Sequence, residues 1–328
     1  MSIGKQLIIV SIIISVSYLK AIDSSHFWRP HTLWSEPRIA RDRLRTFNVS
    51  FAQGSAHESR DSTRRRVPLF AILTDKAVAP TQAQNSSLCS QGQFEFIDAY
   101  LEAYQTITNG FFVQLTIPIR AFSLTHLNSN PRGPCDLKPR RLSYAALGDT
   151  TALLGWSQQY DITETFDFFD FMLKAGMLFP TGREGRLQHG WFEIPTGYNG
   201  HFALAITGDI TVGIFNWLTL GLHGEHLTFF VQKPLRVLGA FIKADHVAQG
   251  FSLALGYSYE QQGHSLCNRS RGFSQHALNI VAEYDFSSTA SGLYPHLSFF
   301  YNKSLAGKRI FISSAYGSIL GVDICWQF

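Results

Sequence analysis

The sequence predicts an all-β chain, a transmembrane up-and-down antiparallel β-barrel of about 12 strands. Three observations point to it. Apolar residues alternate with small or polar ones along most of the chain, while helical periodicity is nearly absent beyond the N-terminus. Short and long connections alternate between the strands so read. The final strand keeps its alternation up to a terminal aromatic residue. Composition agrees: of 328 residues only 16% are charged and 14% are aromatic, with 27 Phe, 12 Tyr and 6 Trp. A soluble domain carries about 25% charged residues. A lipid-facing wall with aromatic girdles needs fewer charges and more rings. A soluble β-sandwich shares that composition, so the connections and the last strand carry the distinction.

The N-terminus reads as a secretory signal peptide over residues 1–21. Lys5 precedes an apolar core at 7–16, and Ser17 and Ala21 offer small residues for cleavage. The core is too short to span a bilayer as a helix, and no later stretch of 18 apolar residues exists. No Cys follows at once, which argues against a lipoprotein. Residues 22–43, with Trp28, Pro30, Trp34 and Pro37, form an irregular periplasmic segment, and 44–328 form the barrel.

Twelve strands are expected at 44–54, 92–107, 111–123, 145–159, 166–179, 200–213, 216–230, 235–246, 249–262, 274–287, 292–303 and 309–328. An even count is the rule for single-chain bacterial barrels. In the third, Val113, Leu115, Ile117 and Ile119 share one face, and Gln114, Thr116 and Arg120 share the other. Pro118 removes a ladder hydrogen bond there and requires a bulge or a non-bonded position. In the ninth, large apolar residues take the odd positions from Phe251 to Tyr259. In the tenth, Asn279, Glu283 and Asp285 lie opposite the apolar face. Residues 67–73 are either a further strand or a folded piece of loop.

The connections at 108–110, 160–165, 214–215, 247–248 and 288–291 are short. Four of the other six (55–91, 124–144, 180–199, 231–234, 263–273 and 304–308) are long. Outer-membrane barrels have short periplasmic turns and long external loops. The rhythm therefore predicts an integral outer-membrane protein with both termini periplasmic.

The chain ends Ile319-Leu320-Gly321-Val322-Asp323-Ile324-Cys325-Trp326-Gln327-Phe328. Leu320, Val322, Ile324, Trp326 and Phe328 alternate to the last residue. This resembles the C-terminal insertion signal of bacterial outer-membrane barrel proteins. The resemblance implies lipid and the barrel assembly machinery as partners during insertion. Gly148-Asp149-Thr150-Thr151 and the run Met172 to Phe179 followed by Pro180-Thr181-Gly182 resemble a barrel family linked to phenol-degradation (MetA-pathway) operons. That likeness covers about the middle third and implies transport of small molecules.

If the alternation holds, Arg120, Lys174, Asp209, His223, Glu225, Lys243, Glu260, Glu283, Asp285, His296 and Asp323 point inward. Residues of both signs can line a channel and bias which solutes pass. They can equally knit into a network that fills the lumen, since 12 strands lie between a filled small barrel and an open porin. The function expected is a channel or transporter for a small solute. The alternatives are a surface protein with a plugged lumen and partner-binding loops, or, less favoured, a lipid hydrolase. For the last, His296 and Ser298 share a face and His223 sits near Glu225, but no nucleophile–base–orienter motif is recognisable. We therefore expect no enzyme and no cofactor. The net charge of +4 gives no nucleic-acid footprint, and Arg64-Arg65-Arg66 reads as a solvated loop. The 4 cysteines show no zinc spacing. Cys89 and Cys135 fall in loops flanking one hairpin and are the candidate disulfide; the sequence alone does not fix the pairing.

Overall fold

A computed structural model describes residues 45–61, 63–69, 92–108, 110–127, 139–160, 166–183, 187–188, 191–192, 196–197, 200–215, 217–230, 233–262, 273–286 and 293–324. The expected signal peptide, the 22–43 segment, Cys89, Cys135, Trp326 and Phe328 lie outside these residues.

The chain closes into one antiparallel barrel of 12 strands in up-and-down order. We label them β1 (Arg45–Arg60), β2 (Gly92–Thr108), β3 (Phe111–Leu127), β4 (Pro139–Leu147 and Thr150–Tyr160), β5 (Phe166–Phe179), β6 (Ala203–Ile214), β7 (Leu218–Phe229), β8 (Leu235–Ala248), β9 (Phe251–Gln262), β10 (Ser274–Asp285), β11 (Leu293–Lys308) and β12 (Ile310–Ile324). Each pairs with its sequence neighbours, and β1 pairs with β12 from Arg45↔Ile324 to Arg60↔Ile310. That last ladder removes the two free edges, which lipid cannot hydrogen-bond.

Alternation then sorts the side chains. Outward positions are apolar and exposed, as at Leu101, Leu115, Leu154, Leu173, Leu204, Leu222, Leu238, Leu255, Phe299 and Leu320. Inward positions mix buried polar residues with aromatics. Phe111, Tyr160, Phe215, Trp217, Tyr284 and Phe286 ring the short-turn end, and Phe179, Phe202, Phe230, Tyr257, Tyr301 and Tyr316 stand toward the other. Two such belts suit the two membrane interfaces. Inside, large rings fold over cross-strand glycines. A Cβ on Gly155 would lie 2.1 Å from Phe112, and one on Gly221 2.0 Å from Phe241. Glycine is required at both positions because the ring occupies its Cβ space.

Several boundaries differ from the sequence reading. β1 continues to Arg60 and β4 begins at Pro139, because outside the lipid zone a strand no longer needs apolar outward residues. The expected connection 304–308 is strand: β11 runs to Lys308, with a register shift between His276 and Ala277 of β10 that disguises its alternation. β11 and β12 join through Arg309, whose φ of 53° supplies the left-handed turn. In the 67–73 segment, Arg66–Pro68 is a short strand on β1 and Leu69 is buried; 70–73 lie outside the described residues. The final strand is described to Ile324.

A charge at the outward middle of β9 therefore meets lipid, and one at its end meets the interface. We expect Leu255→Arg to cost about 2–4 kcal/mol and Gln261→Arg about 0–1 kcal/mol. Reversible urea unfolding in lipid vesicles, followed by tryptophan fluorescence, checks the contrast; equal costs would contradict the facing.

Candidate functional site

The site grows from one proline. Pro118 has no N–H to give to β4, and β4 breaks opposite it. Thr116 pairs with Thr151 and Ile119 with Leu147, so Ile117 and Pro118 face Gly148, Asp149 and Thr150. The extra residue is a bulge, the device expected for a proline inside a sheet. Gly148 N–H donates to the Pro118 carbonyl at 2.7 Å.

The bulge is bound to the connection after β5. Asp149, 6% exposed, accepts the Gly182 N–H at Oδ1 at 2.9 Å. Thr181 Oγ1 donates to the Gly148 carbonyl at 2.6 Å and accepts the Thr150 N–H at 2.9 Å. Thr196 Oγ1 donates to the Leu147 carbonyl at 2.5 Å and accepts the Arg183 N–H at 2.7 Å. A Cβ on Gly197 would sit 2.1 Å from Asp149 Oδ1, so only glycine fits beside that carboxylate. The two motifs quoted in the sequence reading, 148–151 and 180–182, thus meet in space as one clamp. Among the described residues, Pro139–Leu147 pairs with β3 alone. The clamp supplies hydrogen bonds to its last carbonyl and the one that follows.

The clamp borders the lumen. A cavity of about 150 Å³ is lined by Asp149, Thr196 and Gly197 together with Arg120, His223, Glu225 and Glu260. Arg120 Nη2 lies 3.2 Å from Asp98 Oδ2 and donates to Tyr100 Oη at 3.2 Å, while Tyr100 Oη donates to the same carboxylate oxygen at 3.2 Å. Asp149 also attracts Arg120 electrostatically. His223 Nδ1 lies 2.5 Å from Asp209 Oδ1. Toward the short turns, Lys243 pairs with Glu283 and, at 3.4 Å, with Asp245, which Thr219 also contacts. Above the cavity the lumen turns apolar. One cluster joins Leu69, Phe94, Phe96, Phe122 and Leu124, and a second joins Leu178, Leu227, Phe229, Leu235 and Phe273.

The inward residues named from the sequence fall as follows. Arg120, Lys174 and His223 are buried in the wall; Asp209, Glu225, Lys243, Glu260 and Glu283 are half-buried. Lys174 and Glu225 share a lateral row through Thr207. His296 folds over Gly321 toward Asn48, and a Cβ on Gly321 would meet both. Asp285 has inward parity but is exposed at the short-turn rim. The backbone of Asp323 pairs with Thr46 and Tyr294; its side chain lies outside the description, as does that of Ile324. Leu320 faces outward at 54% exposure, and Val322 is half-buried. Sequence reasoning missed Asp98, Tyr100, Glu102 and Asp149. In β2 the inward face is also the aromatic one (Phe94, Phe96, Tyr100, Tyr104), so hydrophobicity pointed the wrong way.

Removing Asp149 strips the clamp of its charge-assisted bond, worth about 1.5–3 kcal/mol. We expect Asp149→Ala and Gly197→Ala each to leave the barrel heat-modifiable on gels while protease cuts the 180–199 connection at least several-fold faster. Unchanged cleavage in both variants would contradict the clamp.

Sequence comparison finds no matching protein-family model and no matching curated protein. Comparison of structures finds bacterial outer-membrane barrels. An outer membrane channel from Pseudomonas putida F1 is 12% identical, with a TM-score of 0.59, over 88% of this chain and 100% of that one. The transport unit of the autotransporter AIDA-I from Escherichia coli is 10% identical, with a TM-score of 0.45, over 90% and 95%. A FadL homologue from Pseudomonas aeruginosa is 10% identical, with a TM-score of 0.39, over 93% and 96%. The first of these shares the fold.

Proposed function

We propose that this barrel is an outer-membrane channel for small solutes, with its short turns and both termini in the periplasm and its long connections outside. The observation that carries the reading is the polar cavity held between the clamp and the Arg120–Asp98 pair. A closed structural barrel has no need of a cavity lined by Arg120, His223, Glu225 and Glu260, since burying charge in a filled lumen costs desolvation without return. The cavity's volume sets the class of solute. A space of roughly 150 Å³ holds one benzene-sized molecule. Groups of both signs favour polar or weakly polar solutes over a strongly charged ion of either sign.

The apolar clusters of the upper lumen support a narrow path, and Asp149 and Gly197 stand on its wall. Loosening the clamp widens this path. The channel family likeness of the sequence motifs at 148–151 and 180–182, and the fold shared with the Pseudomonas putida channel, agree with this reading. The main alternative is a plugged barrel whose long loops bind partners.

Planar-bilayer recording and liposome swelling of the refolded full-length chain test the proposal. We expect low conductance, well below that of an open porin, and swelling with solutes of about benzene size that falls off steeply for larger ones. Asp149→Ala should raise both. Neither flux nor conductance, in the parent and the variant alike, would favour the plugged structural barrel; hydrolysis of membrane lipid without flux would favour an enzyme.

A further inference from the structure

Outward positions on β7 to β11 carry no carboxylate among the described residues, and their charged side chains gather at the long-loop end. One lateral row runs His226, Arg236, Gln261, Ser274 and Lys308 across the five strands. Lys303 stands two rows below on β11, in register with Leu278 and, beyond it, Tyr257. Arg236, Lys303 and Lys308 are exposed, and none enters an ion pair among the described residues. Adjacent strands lie about 4.8 Å apart, so Arg236 and Lys308 are separated by roughly 14 Å at the backbone, within converging reach of two long side chains.

A cation on the lipid side is tolerated near an interface and costly at the centre. These cations, near the long-loop ends of their strands, therefore lie toward the headgroup side of the wall. Three exposed cations with no protein carboxylate among them make a positive patch, and the anions abundant on that side of the wall are lipid phosphates. Arginine engages phosphate through two parallel N–H bonds, and lysine adds point charge. Below the row the surface is shaped for hydrocarbon. Leu222 and Leu238 are exposed, and Gly208 and Gly224 face one another across β6 and β7. A Cβ on Gly224 would meet nothing nearer than Leu238 Cδ2 at 3.8 Å, which leaves a shallow hollow in the wall.

We propose that this face binds an anionic membrane lipid, with its phosphate-bearing headgroup on Arg236, Lys308 and Lys303 and its acyl chains along Leu238 and the glycine hollow. The proposal rests on the reading of the chain as membrane-spanning. It adds a lipid site on the outer wall, separate from the cavity inside.

Native mass spectrometry of the refolded full-length chain in zwitterionic detergent tests it, titrating with lipid A, a bis-phosphorylated glycolipid, and separately with phosphatidylethanolamine. The parent should retain one lipid A at a concentration at least ~10-fold lower than the R236Q/K303Q/K308Q variant requires, the order expected of three interfacial cations. Phosphatidylethanolamine should not distinguish the two proteins, and millimolar inorganic phosphate should leave the lipid in place. Equal lipid A binding by parent and variant would overturn the proposal, as would equal binding of both lipids by the parent. Displacement by inorganic phosphate would reassign the site to a soluble anion and overturn the lipid. A second copy of the chain on this face, seen as a dimer that the triple variant abolishes, would also overturn it. Heat-modifiable migration separates the two readings: a folded barrel without lipid preference sinks this site alone, whereas a chain that never forms a barrel sinks the membrane reading too.

Discussion

Hydrocarbon offers no hydrogen bonds, so a sheet that crosses it must satisfy every backbone donor and acceptor from within. The ladder between β1 and β12 meets that demand, joining the first strand to the last over the whole length of both. Everything else in the barrel is a consequence. Closure fixes an inside and an outside for each strand, and the two-residue period then sends alternate side chains to lipid and to the lumen. A shift of one residue in the closing register would turn Leu320 inward and Ile319 outward, and the same for every neighbour in the strand. The inward set can then carry charge where a partner stands across the strand or across the lumen, as with Arg120 and Asp98 or Lys243 and Glu283.

The interior is graded along its length. The Lys243 ion pairs lie nearer the short turns and two phenylalanine- and leucine-rich clusters nearer the long connections, while a third apolar group, Val281, Phe300 and Ile319 with Phe241 against it, lies along the barrel below them. Between them sits the bulge opposite Pro118, where the ladder rule is broken and repaired. Two carbonyls that a continuous β4–β5 ladder would have satisfied are taken by Thr181 and Thr196, and Asp149 takes an N–H from the same connection. The repair ties a long connection into the barrel wall at the level of the cavity. A proline, a bulge and a clamp thus turn a local failure of sheet bonding into a tie between a long connection and the wall of the cavity.

Much of this was legible in the sequence, and the rest was hidden for physical reasons. Alternation along β3, β9 and β10 and in the final strand gave the barrel, and Arg120, Lys174 and His223 are buried in its wall. Pro118 announced an irregularity at its own position. The ends of β1, β4 and β11 were hidden because strands that rise beyond the lipid lose their apolar outward face: Ser55, Glu58 and Arg60 carry no such signal. The turn at Arg309 was hidden by the register shift that precedes it on the neighbouring ladder. Asp149 could not be read as a site at all, because its partners Gly182 and Gly197 are over 30 residues away and meet it only once the barrel has closed. The repeated glycine–threonine motifs were the signal, and they carried no geometry by themselves.

The barrel stands or falls on that closing ladder and its register. In a chain with Cys89, Cys135, Cys267 and Cys325 replaced by serine, Val49→Cys and Leu320→Cys place two thiols directly opposite one another across β1 and β12. Mild oxidation of the refolded protein should join them rapidly within one chain and prevent the gel-mobility shift on heating, while Val49→Cys with Ser318→Cys, displaced by two residues, should join far more slowly. Equal rates for the two pairs, or links formed only between chains, would contradict a barrel closed in this register.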